Sequence, residues 1–459
     1  MDGTRPGQLA GVTLILVAAC VAPSTPSTAE TLFASPTAGS VATPTGTATV
    51  GPTVSTAGAL DPSFGEGGLV VTHLPGSGGD SLRAVAIDAD GRIVVAGISG
   101  IQNGTSAVLA RYRADGSIDA SFGSGGVVTT DLGGGAWQSI AVAQDGRVIA
   151  AGESIVVGKN PDFALARYTA DGSLDPSFGE GGLVTTDFPG PSDDRAWALA
   201  IDSDGRVVVG GLSTIFDSAT GQGICCRLAL ARYAEHGTLD PSFGSGGLVT
   251  TDTDSGVVAD ALAIDSAGRI LVASGTHGGD DANEDAKIAV ARYTTDGSLD
   301  QTFGQDGLVI TDFSGFAAMA IDADGRIVVG GTSDDEFAVA RYTTDGGLDQ
   351  TFGQAGGVTT DFGEFRTLTI DADGRTVVAG TSDADFAVAR YTADGTPDQT
   401  FGQGGLVLTD FSGSGSRDVG FAMTIDADGR IVVVGETAVS DEEIEWDVLD
   451  FALARYLSR

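Results

Sequence analysis

A chain of 459 residues could hold two or three domains, but an internal repeat runs through most of it, and repeats share one continuous core. With 62 acidic against 24 basic residues the formal net charge is -38, and Lys159 and Lys287 are the only lysines, so little is left to build a basic patch and nucleic acid is excluded as a partner. The 70 glycines, set among short runs of Val, Ile, Thr and Phe punctuated by turn dipeptides, point to an all-β protein.

The chain opens on "LAGVTLILVAAC", an apolar run of signal-peptide length that stops at Val17-Ala18-Ala19-Cys20. Small residues ahead of a cysteine resemble a bacterial lipobox. That resemblance implies a signal over residues 1–20 and a lipid on Cys20, although Asp2 opposes Arg5 in a weak basic start. Residues 21–57 are Ser, Thr, Pro, Ala and Gly with few large apolar groups. Such a segment cannot bury enough surface to fold and reads as a tether at the cell envelope or outside the cell.

From residue 58 to 459 the chain repeats. The units align on the phenylalanines Phe64, Phe122, Phe178, Phe243, Phe303, Phe352 and Phe401. Each unit supplies four short apolar runs, which in the first are "GLVVTHL" (68–74, strand D), "AVAID" (84–88, strand A), "RIVVAG" (92–97, strand B) and "AVLARY" (107–112, strand C). Asp-Gly turns follow strands A and C. The residues Ala86, Ala141, Ala200, Ala263, Ala320, Thr369 and Thr424 keep strand A small, as crowding around a central axis demands. Counting starts on a D strand and ends on a C strand, "FALARYLSR", so the economical closure pairs the first D with the last C. The expectation is a seven-bladed β-propeller of four-stranded antiparallel blades.

The phrases "LDPSFGEGGLVVT", "AIDADGRIVVAG" and "FALARYTADGSLDPSFG" resemble the delta-60 repeat, a bacterial propeller family of unknown function. The resemblance covers residues 60–459 and implies a fold and an extracellular habit, with no catalytic residues to carry over.

Several motifs invite chemistry and are better explained by structure. "FGEGGL" lacks the following helix a phosphate loop needs and recurs in every unit, so it reads as a turn. "IDADGR" places Asp88 and Asp90 two apart like the start of a calcium loop, yet strand B begins at once, and Ala143 and Ala267 replace one acid in two units. His73, His236 and His277 fall in different phases. Cys225 and Cys226 are adjacent, open to a strained vicinal disulfide, bonds to another chain or two thiols.

Loops between strands B and C vary most, and they emerge on the same face as the D-to-A connections. That face concentrates acids: Asp280, Asp281, Glu284 and Asp285 in one loop, Asp441, Glu442, Glu443 and Glu445 in another, and Asp131, Asp187, Asp252, Asp312, Asp361 and Asp410 after D strands. Trp137 and Trp197 precede strand A of neighbouring blades and Trp446 sits in the last long loop. The functional expectation is a monomeric, lipid-anchored, non-enzymatic binding module whose variable face meets a protein or a carbohydrate, touching membrane only through its lipid. Calcium is the metal that such oxygen-rich, histidine-poor loops would take. The alternative is a propeller hydrolase or lyase, calcium-assisted, with carboxylates converging at the channel mouth. Acids scattered around a rim favour the binder.

Overall fold

The computed structural model describes residues 57–459, apart from 75–76, 102–103, 157–158, 217–222, 253–257, 276–286, 312, 334–335, 361–362, 412–416 and 440–447. These residues form seven four-stranded antiparallel sheets, the blades of a propeller. In blade 1 strands A to D are Ser77–Ile87, Ile93–Ile101, Gly104–Tyr112 and Val127–Thr130. Strand A starts earlier than its apolar run predicts. The polar, glycine-rich stretch before it reads as loop, but it pairs with a long strand B, Ser77 opposite Ile101, through two register shifts.

A strands pack against the A strands of neighbouring blades and are innermost, while D strands form the outer edge. Strands B and C are buried throughout most of their length because blades stack face to face. The ring closes as the phase of the repeat requires. Blade 7 consists of Asp418–Ile425, Ile431–Val439 and Val448–Tyr456, with Leu69–Thr72 from the start of the chain as its outer strand, Leu69 opposite Ala454 and Thr72 opposite Phe451.

One clasp recurs at every blade. The arginine of "ARY" is buried, and its Nε donates to the aspartate of the following "LD" turn, as Arg167 does to Asp175 at 2.8 Å. Its guanidinium lies over the phenylalanine of the same turn, Arg167 4.7 Å from the Phe178 ring centroid. Its Nη2 donates to the hydroxyl of Ser177 in the same turn at 2.9 Å, and its Nη1 leaves the blade to reach the carbonyl of Glu235 in the next unit. At closure Arg455 makes the same set with Asp61, Phe64 and the Ala114 carbonyl, joining the two ends of the chain.

A second bond between units explains one glycine. Gly123, at φ +53°, donates its N–H to the Asp171 carbonyl at 2.7 Å, and a Cβ there would sit 2.4 Å from the Val127 carbonyl oxygen. "FGxxG" is therefore an inter-blade turn rather than an anion cradle. The "IDADGR" acids are equally occupied. Asp88 Oδ1 accepts from the N–H groups of Asp90 and Arg92, and Oδ2 accepts from Arg92 Nε at 2.6 Å.

Candidate functional site on the variable face

The face carrying the A-to-B turns and the clasps is nearly the same in every unit, whereas the opposite face differs from blade to blade. Its centre is built by one recurring irregularity. Strand A of blades 1, 2, 3, 6 and 7 carries a register shift that sets one residue out of the ladder: Arg83, Gln138, Trp197, Arg366 and Phe421. In blade 5 the shift includes Ala317, and in blade 4 Asp260 immediately precedes the strand. All seven stand four residues before the end of strand A, so they form a ring at one level of the innermost strands. Bulges re-aim a side chain, and here they do so where seven strands converge.

Members of this ring touch across blades. Arg83 Nη1 donates to Gln138 Oε1 at 3.1 Å, and Gln138 Nε2 donates to both oxygens of Glu153, at 3.3 and 3.2 Å. The Arg366 guanidinium lies 5.9 Å from the Phe421 ring and pairs with Glu364 at 2.6 Å. Asp260 Oδ2 accepts from the Gly275 N–H at 2.7 Å, and burial pushes its carboxyl up to about 7 against that bond and one from Ala317. Burial likewise raises Glu153, opposed by Gln138, Arg83 and Arg195. The ring thus holds planar hydrogen-bonding groups, one ion pair with Glu364 and two partly exposed aromatic side chains, Trp197 and Phe421.

Farther out, at junctions between blades, acids gather in threes. Asp162, Asp187 and Asp194 bring one carboxylate oxygen each within 4.8 Å of one another between blades 2 and 3, and Asp385, Asp410 and Asp418 do so between blades 6 and 7. His73, Asp80 and Asp450 occupy the equivalent places where blade 7 meets blade 1, with His73 Nδ1 2.8 Å from Asp450 Oδ1. Among the described residues these acids gather in threes at separate blade junctions rather than in one centre.

The predicted site residues fare unevenly. Trp197 reaches the mouth, but Trp137 is corrected to a core residue: it is 0% exposed and packs edge-on against Tyr168, ring centroids 6.4 Å apart, because the bulge turns Gln138 rather than Trp137 out of the ladder. Cys20, Asp280, Asp281, Glu284, Asp285, Asp441, Glu442, Glu443, Glu445 and Trp446 lie outside the described residues, as does His277. His236 accepts a bond from Gly179 through its carbonyl in an inter-blade turn, and Cys226 is a free thiol opposite Thr214. The ring was missed because its members share no residue type. Its signal is positional, four residues before the strand's end.

Residues 89–122, 143–178, 203–243, 268–303, 323–352 and 372–401 match the family described as a domain of unknown function (DUF5122) beta-propeller. The chain belongs to that DUF5122 β-propeller family. No curated protein sequence matches it. Among solved structures, Sqt1 from Chaetomium thermophilum is 14% identical over 84% of this chain and 99% of its own, with a TM-score of 0.38. The soluble aldose sugar dehydrogenase of Escherichia coli is 10% identical over 66% of this chain and 94% of its own, with a TM-score of 0.37. In this DUF5122 propeller the six matched segments run from the A-to-B turn through strands B and C to the clasp phenylalanine, and the ring residues lie outside them.

Proposed function

We propose that the protein is a non-enzymatic binding module outside the cytoplasm, held by a lipid on Cys20, and that it takes an uncharged carbohydrate chain at the mouth of its central channel. The observation that carries this reading is the ring of unlike side chains at one level of an otherwise repetitive scaffold. Trp197 and Phe421 offer faces for the apolar side of a sugar ring. Arg83 and Arg366 are planar groups suited to pairs of neighbouring hydroxyls, with Arg83 held in place by the buried Gln138 amide. Arg366 is already paired with Glu364, and a net charge of -38 repels a polyanion, so a neutral chain is favoured over an acidic one.

The test is titration of the full chain with neutral and with uronic-acid oligosaccharides, followed by tryptophan fluorescence and calorimetry. Saturable binding of a neutral oligosaccharide that Trp197→Ala weakens about tenfold or more supports the reading, that factor being ~1.4 kcal/mol. Binding of neither class, or binding indifferent to Trp197→Ala, overturns it. For the anchor, Cys20→Ala is expected to move the protein from the membrane to the soluble fraction.

A further inference from the structure

The seven blade junctions solve one electrostatic problem in different ways. Each has three equivalent places: the residue that precedes the buried run of strand C, the residue after strand D, and a position in the first part of the next strand A. Between blades 3 and 4 the first place is Arg227, which pairs with Asp252 in the second. Between blades 4 and 5 the first place is Lys287. Between blades 2 and 3 all three are aspartates, as they are between blades 6 and 7.

The geometry of the first of these triads is that of a cation seat. Asp194 is 0% exposed; its N–H donates to the Pro161 carbonyl, and its Oδ2 accepts from the Phe188 N–H at 2.8 Å. Its Oδ1 is buried without a hydrogen-bond partner, and the Ser213 hydroxyl on the facing strand lies near enough to favour the ionised carboxylate. Leaving such an oxygen unsatisfied is costly unless something positive comes to it. Asp162 and Asp187 bring their carboxylates to the same point, and a cleft of about 320 Å³ lined by Asp162, Asp187, Ser192, Asn160 and Lys159 opens the site to solvent.

The arrangement recurs between blades 6 and 7. Asp418 is 0% exposed, its N–H donates to the Ala384 carbonyl, and its Oδ2 accepts from the Phe411 N–H at 2.8 Å. There Thr437 donates to Oδ1, and Asp383 adds a fourth negative charge in place of Lys159.

We propose that Asp162, Asp187 and Asp194 bind a divalent hard cation of the calcium class that clamps blade 2 to blade 3, and that Asp385, Asp410 and Asp418 bind a second between blades 6 and 7. All-oxygen donors select calcium or magnesium over zinc and copper, and water supplies the remaining ligands through the open side. The ion does from solution what Arg227 does within the chain at the neighbouring junction. The proposal is independent of the carbohydrate reading, because its sites stand at the rim and its readout needs no sugar.

The experiment is calcium titration of the chelator-treated full chain by calorimetry, with terbium luminescence as a second probe and magnesium as the comparison. Two calcium ions per chain are expected. Asp187→Asn should remove one and Asp187→Asn with Asp410→Asn both; these two side chains are exposed, so folding is not at stake. Asp162→Arg, which copies the junction of blades 3 and 4, should abolish the first site, with a melting temperature that calcium no longer moves. A variant with Asp280, Asp281, Glu284 and Asp285 changed to Asn or Gln should keep both ions. No binding up to about 10 mM calcium, or a stoichiometry unchanged in the Asp187→Asn, Asp410→Asn variant, overturns the proposal.

Discussion

The two faces of the ring are made from the same repeat and have been put to opposite uses. On the face of the clasps, arginine, aspartate and phenylalanine recur at every blade, and one donor of each arginine is spent on holding the next unit. On the other face the position with the most conspicuous geometry, the strand A bulge, carries Arg, Gln, Trp, Asp, Ala, Arg and Phe in turn. Repetition therefore marks what the fold needs, and its failure at a geometrically constant position is what singles out the ring proposed to meet a ligand.

The largest effect tests the constant face at its seam. A chain beginning at residue 76 lacks the outer strand Leu69–Thr72 and the clasp partners Asp61 and Phe64, leaving Arg455 buried with neither. Cooperative thermal unfolding should be lost and aggregation should follow. A truncated chain that melts like its parent would break the ring.

Within an intact ring, Asp398→Ala strips Arg390 of its buried carboxylate, the side chains being 1% and 7% exposed. About 3–5 kcal/mol of stability should go, measured by denaturant unfolding. A loss below about 1 kcal/mol would mean the clasps are decoration.

The faces also answer acid in opposite directions. Asp119, Asp175, Asp300 and Asp349 are held below the ordinary value of 3.8 by the hydroxyls of Ser121, Ser177, Thr302 and Thr351 and then by the clasp arginines, against burial. Their contribution is present above 3.8 and lost as the pH falls through the lower folded values. Asp260, raised to about 7 by burial, contributes the reverse: stability is fully present below 3.8 and lost as the pH rises through about 7. The melting temperature should peak near pH 4 to 5, roughly where the two opposed trends cross. Asp260→Asn should flatten the decline between about pH 5 and 8 while leaving the acid limb unchanged.

Much of the constant face is legible in the sequence, because the spacing from "ARY" to "LDxSFG" is fixed and the chain's starting phase dictates closure. The mouth is not legible in the same way. Its ring depends on a bulge that no residue type announces, and the junction triads join residues 25 and 7 positions apart, from Asp162 to Asp187 and from Asp187 to Asp194, through a D-to-A connection of variable length. One trace was available: the residue before the buried run of strand C is Asp162, Arg227, Lys287, Glu336, Asp385 and Asp450 in blades 2 to 7, a single charged position whose sign differs between blades.

The smallest expected effect sits in the clasp turns. Ala355 holds φ +55° where most units have glycine, and at the equivalent Gly125 an added Cβ meets nothing within 4 Å. The strain there is of backbone conformation rather than contact. Ala355→Gly should stabilise by about 0.5–1 kcal/mol, read as a small rise in the denaturant midpoint.

The division between faces is tested most directly by one double variant, Trp197→Ala with Phe421→Ala, assayed together for thermal unfolding and for oligosaccharide binding. The account predicts cooperative unfolding at a temperature clearly above that of Asp398→Ala, since both side chains are partly exposed, and a loss of binding. A variant that binds as before, or one that unfolds as early as Asp398→Ala, would contradict it.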